Sequence, residues 1–153
     1  MATVYYVNGI TGNDANDGLT PGTAKQTILG ARDGPCVNGD LVVIDPGVYP
    51  ELDRTWNNGA KDHVMYMGNP LKPGNVIVDF QNVEGEHWVF NPENPIFVNM
   101  HFRNPGVLNG SHLFRSRTST QVKWYHCVFY NQFGTQNARV IETDGSASPQ
   151  PPP

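Results

Sequence analysis

The sequence predicts an all-β chain wound as a right-handed parallel β-helix, a solenoid with a short N-terminal capping helix. Three observations predict it. Turn formers abound, with 16 Gly and 13 Pro in 153 residues, while only 16% of residues are charged; that balance suits many corners better than a helical bundle. Apolar and aromatic residues fall in short runs between Gly, Pro, Asn and Asp clusters, the pattern of successive strands. Finally, the runs repeat: residues 75–82, 97–104 and 124–131 can be superimposed so that each ends in Phe-x-Asn, with Phe80, Phe102 and Phe129 spaced 22 and 27 residues apart. Spacings of that size are those of stacked coils.

Taken in order, residues 3–7 (TVYYV) read as a strand that runs into the Asn8-Gly9 turn. A polar loop follows and closes at Thr20-Pro21-Gly22. Over residues 23–32 the period changes, because Ala24, Ile28 and Ala31 recur at three-to-four spacing behind a Thr23 cap; this predicts the capping helix, ended by Gly34-Pro35. Residues 41–44 are a buried strand that turns at Pro46-Gly47 and resumes at Val48-Tyr49. Further strands are expected at 63–67, 75–80, 87–90, 96–102, 113–115, 122–130 and 139–142, with Pro-containing corners that leave no room for a helix after residue 40. The chain thus divides into 1–39 (strand, polar loop, capping helix), 40–145 (coils) and an extended Pro-rich tail, 146–153.

This alignment places Val78, Phe80, Met100, Phe102, Cys127 and Phe129 in one interior ladder, and Asn82, Asn104 and Asn131 at corners, where Asn tolerates the left-handed backbone. A second face repeats with His87 set 25 residues before His112. A Greek-key sandwich, with turns at similar spacing, is the competing fold.

Residues 5–7, the run Gly12-Asn13-Asp14-Ala15-Asn16-Asp17-Gly18-Leu19-Thr20-Pro21-Gly22-Thr23-Ala24, and residues 39–51 (GDLVVIDPGVYPE) together resemble the opening of pectate-lyase-like right-handed β-helix proteins. The resemblance covers the first third of the chain and implies a first strand, a polar loop, a capping helix and then the first full coil. That superfamily includes polysaccharide lyases, hydrolases, phage tailspikes and structural proteins, so fold does not settle function. Enzymatic members have many more coils, whereas this chain has room for about five. The expectation is therefore a structural virion protein, a phage capsid decoration protein or small head or tail appendage, located in the virion and assembled in host cytoplasm. Its expected partners are further copies of itself, with a trimer favoured, and other virion proteins such as the major capsid protein. The alternative is a carbohydrate-active enzyme or glycan-binding module, with Trp56, Trp88, Tyr125 and Tyr130 as stacking platforms and a cell-surface glycan as partner.

The chemistry is spare. A net charge of −4 with no Lys or Arg run argues against nucleic acid. No stretch reaches the ~18 apolar residues of a membrane span, and residues 1–10 lack the pattern of a secretory signal. Cys36 and Cys127 read as reduced thiols. Among Asp45, Glu51, Asp53, Asp79, Glu84, Glu86 and Glu93, only Asp79 gains a polar neighbour from the alignment, His101 of the next coil; these two are the catalytic candidates if the chain is an enzyme. A solvated outward ladder of Asp79, His101 and Val128 accounts for them as well, so no catalytic residue is assigned. Residues 13–18 alternate oxygen ligands in the manner of a calcium loop, but Ala24 stands where that loop requires Glu. His87, His101, His112 and His126 have no ligand partners at metal spacing, so neither metal nor cofactor is expected. Asn109-Gly110-Ser111 reads as a turn. The tail, Ser146, Ala147, Ser148, Pro149, Gln150, Pro151, Pro152 and Pro153, is expected to strap onto a neighbouring subunit, since proline loses little entropy on docking.

Overall fold

The computed structural model describes residues 1–50, 62–81, 88–90, 94–104, 112–116, 121–130 and 139–143. It contains β1 (Val4–Val7), α1 (Ile28–Asp33), β2 (Leu41–Ile44), β3 (Gly47–Pro50), β4 (Met65–Gly68), β5 (Val76–Asp79), β6 (Trp88–Phe90), β7 (Ile96–Val98), β8 (Met100–Arg103), β9 (His112–Ser116), β10 (Lys123–Tyr125), β11 (Val128–Tyr130) and β12 (Arg139–Thr143). The strands form a five-stranded sheet in the order β1-β2-β4-β7-β10, a four-stranded sheet β3-β5-β8-β11 and a three-stranded sheet β6-β9-β12. Every strand pairing described is parallel, which removes the antiparallel Greek-key sandwich.

The predicted fold class needs correcting on two points. The chain forms parallel sheets with one lone helix, and closure of those sheets into a right-handed solenoid is not found among the described residues. Links that such closure would need, including 51–61, 82–87 and 105–111, lie outside them. Nor does an N-terminal capping helix form over residues 23–32. Thr20 and Thr23 instead close a capping box around a 3-10 turn, Pro21–Thr23. The backbone then extends, because Lys25 bridges Val7: its amide donates to the Tyr6 carbonyl and its carbonyl accepts from Asn8. A segment held to a strand edge cannot coil, so α1 starts only at Ile28, with Thr27 Oγ1 accepting from the Gly30 amide.

Parallel pairing stacks inward side chains in columns. In the first sheet Tyr5, Val42, Tyr66, Phe97 and Trp124 lie one over another, with ring centroids 5.5 Å apart for Tyr66–Phe97 and 4.7 Å for Phe97–Trp124. The second sheet stacks Tyr49, Val78, Phe102 and Phe129, and the third sets Trp88 over Phe114. Trp88 meets Phe97 face to face at 5.6 Å and Phe80 edge-on at 5.5 Å, so the three columns join in one aromatic core.

The register differs from the one read off the sequence. Val78, not Phe80, pairs with Phe102, and Val76 pairs with Met100. Phe129 does pair with Phe102. Trp88 sits over Phe114, one position away from the His87–His112 alignment. Val78, Phe80, Met100 and Phe102 are fully buried, whereas Cys127 and Phe129 are half-buried against the same core. The expected strands 96–102 and 122–130 are each split, because Asn99 (φ 53°) and His126 (φ 52°) adopt the left-handed conformation and send the two halves into different sheets. Of the corner asparagines, Asn104 is left-handed (φ 54°), while Asn82 and Asn131 lie outside the described residues, as does the tail 146–153. Both cysteines are free thiols. Among the described residues no helix is long and apolar enough to cross a membrane.

Phe102 stands between Val78 and Phe129 in its column and is fully buried. Phe102→Ala is therefore expected to cost about 3–5 kcal/mol in urea unfolding, whereas Val128→Ala, at an exposed outward position, should cost about 0.5 kcal/mol or less.

Candidate functional site

The passage from the first sheet to the second builds a polar corner. In the first sheet Val7, Ile44 and Gly68 are in register, so the residues that follow them, Asn8, Asp45 and Asn69, come together. Asp45 Oδ2 accepts from Asn8 Nδ2 (2.9 Å) and Lys72 Nζ (2.6 Å), and Oδ1 accepts from Asn69 Nδ2 (2.8 Å). Tyr49 braces the same corner by donating its hydroxyl to the Asp45 carbonyl at 2.7 Å and accepting from the Gly9 amide. Burial opposes ionisation of Asp45, but Lys72, Asn69 and Asn8 outweigh it and hold the carboxyl below the usual range. Burial pushes Tyr49 up to about 12; the Gly9 amide works against this and the Asp45 charge adds to it.

Beside this ladder lies a cleft of about 290 Å³ whose polar lining includes Asn69, Lys72, Asn75, Asn99, His101 and His126. Asn99 and His126 are exposed. A second hollow of about 330 Å³, bordered by Asn8, Thr11, Asp45 and Lys72, adjoins it through Lys72. Amides, imidazoles and one ammonium offer hydrogen bonds to a polar ligand; nothing in this lining is arranged as a nucleophile with its base.

Asp79 and His101, the catalytic candidates, are not brought together. Asp79 pairs with Arg103, and His101 lies between Ile77 and Val128. Asp79 Oδ2 accepts from Arg103 Nε at 2.7 Å, and Oδ1 accepts from Asn104 Nδ2 and the Gln81 amide. Burial raises the Asp79 carboxyl, but the Gln81 amide, Asn104 and Arg103 together hold it below the usual range. The His101 ring stands edge-on to Tyr130 at 6.1 Å. Trp88, one of the proposed sugar platforms, is completely buried, whereas Tyr125 is exposed and Tyr130 half-buried. Glu51, Asp53, Trp56, Glu84, Glu86, His87 and Glu93 lie outside the described residues, as does the side chain of His112.

The Asn/Asp-rich loop is closed by a lysine. The Lys25 ammonium, nearly buried, donates to the Asp14 carbonyl at 2.7 Å. Asp14 Oδ1 accepts from the Gln26 and Thr27 amides, and Oδ2 from Thr27 Oγ1. Asn13 and Asp17 accept from the amides two residues ahead. A Cβ on Gly30 would lie 2.2 Å from Asp14 Oδ1, so only glycine lets α1 approach this carboxylate. Among the described residues no group of three His, Cys, Asp or Glu could hold a metal.

Asp45 was visible in the sequence only as one acid among several. Its partners could have been found from a regularity: Asn8, Asp45 and Asn69 each follow directly on an apolar strand.

No family model matches the chain, and no curated protein matches it. A rhamnogalacturonan lyase of solved structure is similar to it at 19% identity and a TM-score of 0.47, a weak structural likeness covering 78% of this chain and 34% of that one. The chain thus spans about a third of that structure's length.

Two predictions follow from this chemistry. Asp45 and Asp79 titrate below the carboxyl value of 3.8 in the folded protein, so the stability they contribute is complete above that value and lost as pH falls through the lower folded values. Acid melts should show Asp79→Asn less stable than wild type near neutrality, with the difference shrinking below pH 3.8. Replacing Lys25 by Met should lower the melting temperature, whereas millimolar calcium should leave wild type unchanged because the Asp14 oxygens are already occupied.

Proposed function

We propose that the chain is a structural virion protein, a phage capsid decoration protein or small head or tail appendage that presents its sheets as surface. The observation that carries this reading is the use of its carboxylates as struts. Asp40 accepts from the Thr3 and Val37 amides, Asp62 from Asn94, Asp45 from Asn8, Asn69 and Lys72, and Asp79 from Arg103 and Asn104. Each joins chain segments far apart in sequence. Asp45, Asp62 and Asp79, held below the usual carboxyl range by these donors, are poor general acids and weak bases at neutral pH. The virion assignment itself rests on the resemblance of residues 5–7, 12–24 and 39–51 to a superfamily that includes phage tailspikes.

The polar cleft favours a second reading, a glycan-binding module. Sugar hydroxyls both donate and accept, as do the amides of Asn69, Asn75 and Asn99 and the imidazoles of His101 and His126 that border it.

Immunogold labelling of particles purified from the source, with an antibody raised against this chain, separates the two. Labelled particles are expected. Unlabelled particles, together with binding of an acidic polysaccharide that His101→Ala abolishes, would replace the structural reading with the glycan-binding one.

A further inference from the structure

The outer face of the five-stranded sheet lacks the polar residues that a water-facing sheet alternates with its core. One outward row runs Val4, Leu41, Met65, Ile96 and ends at Lys123. The next runs Tyr6, Val43, Met67, Val98 and Tyr125. Val4 and Tyr125, on the two edge strands, are 37% and 52% exposed; between them Tyr6, Leu41, Met65, Met67, Ile96 and Val98 are half-buried and Val43 is buried. The second sheet carries charge on its outer side: of its two outward rows, Pro50, Asp79, Arg103, Tyr130 holds an ion pair, and Val48, Ile77, His101, Val128 holds a histidine. Apolar side chains on both faces are the mark of a sheet buried on both faces.

We propose that this face is the contact through which copies of the chain associate with one another. Charge argues for a second copy as the occupant. The protein carries a net charge of −4, so two copies repel over much of their surface. This face holds no carboxylate and a single cation, at its β10 edge, so it lets copies meet without like charges opposed. Area agrees. Five strands about 4.8 Å apart and three or four residues long at about 3.3 Å each give a patch of about 300 Å². That is the size of the dry core of an interface burying about 800 Å² per partner, with the surrounding polar surface as rim. Tyr6 and Tyr125 suit such a boundary, since each can bury its ring and keep its hydroxyl in water. This inference does not depend on the virion reading, and either can fail alone.

Sedimentation velocity on the full chain tests it, with Met67→Glu placing a charge at the centre of the face and Val48→Glu placing one on the outer face of the second sheet. Wild type and Val48→Glu are expected to sediment as oligomers, and Met67→Glu as a single 16.9 kDa chain with an unchanged far-ultraviolet spectrum. Should Met67→Glu misfold, Val98→Arg replaces it, read in the same way. Wild type monomeric at tens of micromolar, or an oligomer that survives every charge on this face, overturns the proposal. A monomer in which Met67→Cys resists thiol labelling overturns it too, and assigns the cover to the chain's own residues.

Discussion

Parallel pairing in register leaves a side chain no choice of neighbour: whatever stands at one position of a strand rests on the matching position of the next, about 4.8 Å away. Everything else in this protein is arranged around that fact. Rings can occupy such a column because tilted aromatic planes pack well at the observed 4.7–5.5 Å between Tyr66, Phe97 and Trp124. A slip of one residue would turn this column towards water and bring the Met65–Ile96 row inside, so the aromatic core and the register enforce one another.

The same geometry governs the polar residues. Asp45 lies beside Asn8 and Asn69 because Val7, Ile44 and Gly68 are aligned, and Asp79 reaches Arg103 because their strands pair there. Burying a carboxylate is unfavourable unless several donors meet it, and each of these has at least three. The corners thus lock the register from outside the core.

The strands were legible in the sequence because β-branched and aromatic runs such as Val4–Val7 and Val76–Asp79 leave little alternative. Their register was not. Matching Phe80-Gln81-Asn82 to Phe102-Arg103-Asn104 aligned the chemistry, whereas the backbone aligned the strand starts, Val76 on Met100. The left-handed residue falls at Gln81 in one rung and at Asn104 in the next, so the shared motif does not mark a shared corner. That shift of two positions placed Asp79 beside His101 on paper and beside Arg103 in the fold. Composition concealed the helix start similarly: Ala24 fits a helical period, but nothing local shows that Lys25 will be claimed by β1.

The two ends of the five-stranded sheet are finished differently. The outer edge of β1 is sealed, with Tyr6 bonded to Gly18 and Lys25, and Asn8 to Lys25. Beyond β10 no further strand pairs among the described residues, and Trp124 there is only half-buried over Phe97. Such an edge is a template for any extended peptide, and a lysine on it, as at Lys123, discourages indiscriminate pairing. Among the described residues the stack therefore has a direction: strands gained by duplication or by engineering meet no existing strand bond at the β10 side, while at β1 the Lys25 bridge would have to be dismantled first.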